Sequence, residues 1–179
     1  MKHTLCLLLL ACGFTITLKA QFFFDGSIGT PLQVGQIKGA EDVAFDATGN
    51  IYVASGFSHC IMKFDPNGNP VSQIGIGGNG VGEFNNPVSI AIDAAGNIYV
   101  ADEYRSQVFK FDNLGVFKGY LATYGSGLGQ VNGPVGITID ANGNIFVVDS
   151  QNHRIQKFNS TGTYTSQWGS RGIGDIQFE

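Results

Sequence analysis

Charge is scarce in this chain: 13% of its 179 residues are Asp, Glu, Lys or Arg, about half the quarter typical of soluble domains. Chains that charge keeps disordered are poor in apolar residues, and 43% apolar content excludes this one from that class. Basic residues number 10 against 14 acids, a net charge of −4. Nucleic-acid binders carry a basic patch or stripe, so nucleic acid is not the expected partner. Long helix-favouring stretches are missing, which argues against a helical bundle. Cysteine occurs only as Cys6, Cys12 and Cys60, too few for a disulfide scaffold. Glycine, by contrast, is plentiful at 26 residues, about twice its usual share.

The N-terminus has a sequence pattern of its own. Met1, Lys2 and His3 lead into an apolar run that includes four consecutive leucines, Leu7 to Leu10. A short basic start before such a run is the pattern of a secretory signal peptide. The run falls short of the roughly 20 apolar residues a membrane-spanning helix needs. Ala20, before Gln21, marks the expected cleavage point, which leaves 159 of the 179 residues. Lys2 and Lys19 leave with the peptide, so the mature chain would hold 8 basic and 14 acidic groups, one thiol at Cys60 and no membrane span. Secretion, or a periplasmic or cell-surface location, is the expectation.

Self-similarity at a period of 47 residues organises the rest, and fixed periods of 20–50 residues mark repeat folds. Asp46, Asp93 and Asp140 stand 47 apart, as do Asn50, Asn97 and Asn144, and Phe64, Phe111 and Phe158. Each unit holds four short runs of β-branched and aromatic residues separated by Gly, Asn, Asp or Pro, a strand-and-turn pattern. The first runs are residues 43–45, 89–92 and 136–139; the second 51–54, 98–101 and 145–148; the third 61–64, 108–111 and 155–158; the fourth 71–74, 117–124 and 164–168. Between the first two lies Asp-x-x-Gly-Asn: Asp46, Gly49, Asn50, then Asp93, Gly96, Asn97, then Asp140, Gly143, Asn144. The Asp side chain bonds its own turn backbone, and glycine supplies the positive φ. Runs apolar on both faces need cover on both faces. Four-stranded units of this kind bury both sides by stacking radially on copies of themselves, as in a β-propeller.

These residues resemble the NHL repeat family, whose pattern is Pro-x-Gly-Ile-x-Ile-Asp, then Gly-Asn-Ile-x-Val-x-Asp, then Asn-x-Arg-Ile-Gln-x-Phe. The third unit matches it in Pro134, Gly136, Ile137, Asp140, Gly143, Asn144, Ile145, Val147, Asp149, Asn152, Arg154, Ile155, Gln156 and Phe158. The second keeps Pro87, Asp93, Gly96, Asn97 and Asp102. The first departs most, with Ala40 for Pro, Ser55 for the second Asp and Cys60 for Arg. The resemblance implies an all-β propeller of four-stranded antiparallel blades, most often six in a ring. About three are expected here, an incomplete ring, since closed propellers use about 4–8 blades. The expected organisation is a signal peptide over 1–20, a strand over 21–36 that closes the last blade, repeats over 37–83, 84–130 and 131–177, and the start of a fourth at 178–179. The chain is therefore expected to be the N-terminal part of a longer product, and on its own to self-associate.

Candidate sites follow from the same register. Asp102 with Arg105, and Asp149 with Asn152 and Arg154, are candidates for a ligand face, or else for the loop hydrogen bonds that fix each strand junction. His59 and His153 share one repeat position, which by resemblance to the peptide-amidating lyase branch of the family would place two zinc ligands near the axis. The competing reading is packing or hydrogen bonding at the blade rim, with no cofactor. Gly75 to Gly82 and Gly125 to Gly129 lack the following helix a phosphate cradle needs and read as inter-blade connections. The Asp-x-x-Gly-Asn turns lack the alternating ligands and bidentate Glu of a calcium loop. Recognition of a protein, peptide or glycan by loops on one face is the expected function. The alternatives are a propeller enzyme, either a zinc lyase or a lactonase-like hydrolase, and a bacterial surface or adhesion module.

Overall fold

The computed structural model describes residues 37–172; the expected signal peptide (1–20), the expected N-terminal strand (21–36) and the start of a fourth repeat (178–179) lie outside the described residues. Strands β1 (Ala40–Phe45), β2 (Ile51–Ser55), β3 (Cys60–Phe64) and β4 (Pro70–Ile74) form the first sheet in that order. The second consists of β5 (Pro87–Ile92), β6 (Ile98–Asp102), β7 (Gln107–Phe111) and β8 (Phe117–Tyr124). Its outer edge is extended by β9 (Gln130–Val131), paired parallel to β8. The third sheet is β10 (Pro134–Ile139), β11 (Ile145–Asp149), β12 (Arg154–Phe158) and β13 (Tyr164–Trp168). Within each, consecutive strands pair antiparallel. These are three propeller blades, as the repeat implies.

The first strands of successive blades, β1, β5 and β10, lie against one another, so the sheets fan outward from that line. Between blades the core forms in two layers. Tyr52, Ala54, Ile61 and Ile74 of the first blade meet Ile90, Ile98, Val100, Phe109 and Phe111 of the second. On the second blade's other side, Ala91, Tyr99, Ala101 and Val108 meet Ile137, Ile145, Val147 and Phe158 of the third. Alternate residues of one strand thus serve two different cores, which is why both faces are apolar.

Each inter-blade loop drives one apolar side chain between the blades it connects. Phe84 is fully buried, with its ring 5.0 Å from that of Phe109 and 5.6 Å from that of Phe111. Val131, 47 residues on, is fully buried in the next layer. Gly75 makes room for the first plug: a Cβ there would stand 2.3 Å from the Phe84 ring, and its φ of +74° disfavours any other residue.

Hydrogen bonds also cross between blades at the inner strands. Ser89 Oγ donates to Asp42 Oδ2 at 2.6 Å, and the Ile90 N–H donates to the same oxygen at 3.0 Å. Ser89 Oγ in turn accepts the Ile137 N–H at 3.2 Å. Asp42 and Ser89 occupy the repeat position that is Gly136 in the third blade, just past a register shift found at the same place in all three.

The strands run further than the apolar pattern predicts. Each first strand begins two or three residues earlier, and β2, β6 and β11 take in Ser55, Asp102 and Asp149, paired with Cys60, Gln107 and Arg154. Burial pushes the Cys60 thiol up to about 11.

The Phe84 plug yields a direct test. Phe84→Ala should destabilise the chain by about 3–5 kcal/mol, the usual cost of emptying a buried aromatic site. Urea unfolding would read this as a lower midpoint at unchanged slope.

Candidate functional site

In an up-and-down blade, the turns after the first and third strands emerge at one end, and the second-to-third loops and inter-blade loops at the other. The two ends are built differently. At the turn end, Asp46 Oδ1 accepts the Thr48 and Asn50 N–H groups at 2.9 and 3.0 Å, and Oδ2 accepts Asn50 Nδ2 at 2.8 Å. Asp93 and Asp140 do the same for Ala95 and Asn97, and for Asn142 and Asn144. Gly49, Gly96 and Gly143 take φ of 84°, 83° and 79°. Asp65, Asp112 and Asn159 repeat the device between third and fourth strands.

Hydrogen bonding tunes these carboxyls. At Asp46 burial pushes the pKa up, but the Asn50 and Thr48 side chains and backbone N–H groups outweigh it and hold the group well below the usual carboxylate range. The Asn69 side chain lowers Asp65, and the Asn144 side chain lowers Asp140. The Val116 N–H lowers Asp112, helped by Lys118, whose ammonium lies 3.0 Å away. Between the turns of the first two blades opens a cavity of about 290 Å³ bordered by Asp46, Tyr52, Lys63 and Asn113. Lys63 sits 4.9 Å over the Tyr52 ring, an arrangement that Lys110 repeats over Tyr99 and Lys157 over Phe146. Recurrence in every blade marks it as scaffold.

At the loop end the candidates Asp102, Arg105, Asp149, Asn152 and Arg154 come together blade by blade. Asp149 is fully buried and accepts Arg154 Nε at 2.7 Å, the Asn132 N–H at 2.6 Å, Asn152 Nδ2 at 2.9 Å and Gln156 Nε2 at 3.1 Å. Arg154, 7% exposed, donates on to the Gly127 and Gln130 carbonyls, each at 2.8 Å, and to Gln167 at 2.9 Å. Asp102, also fully buried, accepts the N–H groups of Asn85, Asn86 and Arg105. Arg105 donates to the Gly80 and Glu83 carbonyls at 2.8 Å, and lies 5.4 Å from the Phe109 ring centre. The second and third blades thus each clamp the glycine-rich loop before them with an arginine and pin the following Asn with a carboxylate. The clamping arginine stands three residues after the Asp in one blade and five in the other. These five residues lie beneath the face and hold it. Gln107, at the Arg154 position, has its Oε1 buried and unpartnered among the described residues.

His59, Ser106 and His153 occupy one repeat position, all left-handed with φ of 52°, 50° and 52°. His59 donates from Nδ1 to the Asn85 carbonyl. Ser106 Oγ accepts the Gly133 N–H at 3.1 Å. In the first and second blades this position ties the blade to the next inter-blade loop. Among the described residues no three His, Cys, Asp or Glu side chains come together.

Two residues that sequence reasoning did not single out are exposed aromatics at this end. Phe57 and Tyr104, one period apart on the second-to-third loops, are 76% and 70% exposed. Their shared repeat position was the available signal; Gln151 holds it in the third blade.

Fold and junctions together define a β-propeller array. The NHL repeat profile matches residues 84–111 and 131–158, which lie in the second and third blades. The chain resembles a structure of a nidogen/laminin complex at a TM-score of 0.60, 21% identity, 73% of this chain and 49% of that one. It resembles virginiamycin B lyase from Staphylococcus aureus at a TM-score of 0.60, 15% identity, 79% of this chain and 44% of that one. For hydrazine synthase of Kuenenia stuttgartiensis the TM-score is 0.60, with 12% identity, 84% of this chain and 40% of that one. At these identities the likeness is one of fold, and the chain spans less than half the length of these three structures. No curated protein matches it significantly.

Two measurements test the site. The tuned turn carboxyls have lower pKa values folded than unfolded, so their stabilisation is present above the unfolded value of about 4 and is lost as pH falls through the folded values. Melting temperature should therefore drop progressively below about pH 4. Asp46→Asn with Asp140→Asn, which gives both turns the amide that Asn159 already uses, should flatten that slope. Separately, Asp149→Ala leaves Arg154 buried beside no carboxylate and should cost about 3–5 kcal/mol in urea unfolding.

Proposed function

We propose that the chain is an exported recognition module whose loop end binds a protein, peptide or glycan. The observation that carries this reading is the pair Phe57 and Tyr104, large side chains left 76% and 70% exposed at equivalent tips of adjacent blades. Exposed aromatics on stiff supports are the residue types that anchor binding interfaces. The supports are stiff because Asp102 and its arginine partner fix the loop beneath Tyr104, while Gly56 and Ser55 bond the Gly39 and Lys38 carbonyls beneath Phe57. Asp102, Asp149, Arg105 and Arg154, the groups best suited to chemistry, are spent on holding loops, which favours binding over catalysis. One structural relative comes from a complex between two proteins. Export rests on the basic start and apolar run of residues 1–20.

Peptide and glycan arrays probed with the purified chain test the reading. A ligand captured by the wild type should bind the Phe57→Ala/Tyr104→Ala variant at least about tenfold more weakly, with the melting temperature unchanged. Equal binding by both proteins would rule out the loop end as the site.

A further inference from the structure

The two ends of the blade array expose the two halves of a contact that the chain makes twice inside itself. On the second blade, the side facing the third carries Ala91, Tyr99, Ala101, Val108 and Ala122, all 8% exposed or less. The third blade repeats that side with Thr138, Phe146, Val148, Ile155 and Trp168, the last paired with Ile155 as Ala122 is with Val108. Here Val148 is 40% and Trp168 46% exposed, and the Trp168 and Phe146 rings stack at 6.1 Å.

The complementary half lies on the first blade. Ile90 and Ile137, which seat their blades against the preceding ones, are 3% and 8% exposed; their counterpart Val43 is 51% exposed, and Phe45 beside it on β1 is 62% exposed. Met62 and Phe64 on the same side are buried, so the open strip is β1.

We propose that a second copy of the chain covers both faces. The β10–β13 blade of each copy packs on the β1 strip of the other, which brings the described blades of the two copies into one ring about a twofold axis. Continuity with the internal contacts argues for this occupant. The strip that β10 presents to the second blade is the strip that β1 presents here, and the surface it would meet is the second blade's own surface one period on. Val148 stands at the Ala101 position, Ala101 pairs with Ser89, and Ser89 accepts the Ile137 N–H, which brings Val43 opposite Val148. A head-to-tail contact either closes or polymerises. The three blades of the described residues, taken from each of two copies, fall within the 4–8 that close a propeller. The new junction lacks one internal bond, since Gly136 stands where Ser89 does, and Val43 N–H already donates to Asp42 Oδ1 at 2.8 Å. Closure would set two Phe57–Tyr104 pairs on one rim.

Light scattering on the size-fractionated full chain tests this. Twice the 19.0 kDa chain mass is expected at micromolar concentration. Val43→Glu and Val148→Glu should each weaken dimerisation at least about tenfold, as a buried unpaired charge does. Both positions are exposed, so circular dichroism should show the folds intact. Mixing the two variants should restore dimers, because one wild-type junction survives in the mixed pair. A monomer at 100 μM (about a hundredfold above a micromolar Kd) overturns the proposal. So does a dimer insensitive to either substitution, or one that only Val148→Glu disrupts, which would mean two third blades meeting face to face.

Discussion

A sheet with two apolar faces has no stable surface of its own, and every other feature of this molecule answers to that. Tyr99 and Val100 are neighbours on one strand, yet one is buried against the third blade and the other against the first. Neither burial exists in an isolated blade. The stabilising unit is therefore the seam between blades: apolar layers, a plug delivered by the connecting loop, and hydrogen bonds from Asp42 and Ser89 across the inner strands. Repeat proteins in general gain stability through such nearest-neighbour terms.

The seam also explains where the buried charge sits. A glycine-rich loop that doubles back between blades leaves carbonyls turned inward, and these need donors. Arg105 and Arg154 supply them, and Asp102 and Asp149 supply acceptors for the N–H groups of the Asn residues that follow. Burying a guanidinium is costly unless its donors are used, and at Arg154 the carboxylate, two carbonyls and Gln167 use four of the five. The first blade, with Ser55 and Cys60 at these positions, replaces the ionic pair with a hydroxyl bonded to the Lys38 carbonyl and a buried thiol. The outward face gains fixed loop tips from groups that never reach it.

The blades were legible in the sequence because their signal is periodic. Asp46, Asp93 and Asp140 announce a turn, and Ile98 to Val100 a strand with two dry sides, without knowledge of any neighbour. Strand ends were less legible, because Asp102 and Asp149 look like loop residues until their pairing with Gln107 and Arg154 is seen. Asp42 and Ser89 carried no local signal at all: their partners lie 47 or 48 residues away, across a seam. Phe57 and Tyr104 were hidden for a different reason, since exposure alone distinguishes an aromatic tip from a core ring, and composition is silent on exposure. Asn159 conceals its kinship with Asp65 and Asp112 behind a change of residue type, though it accepts the same two N–H groups.

The six turns at the opposite end have a consequence for how such genes change length. Each turn closes its backbone hydrogen bonds within five consecutive residues and makes none to adjoining repeats. A recombination breakpoint placed in one of them would join halves of two different blades without leaving a broken bond behind. The sheet would simply resume in phase one whole unit longer or shorter. Crossing over at the other end would separate an arginine from the carbonyls it holds some 24 to 27 residues upstream. Unequal exchange is thus channelled to one side of the molecule, where repeat number can drift without cost to the fold.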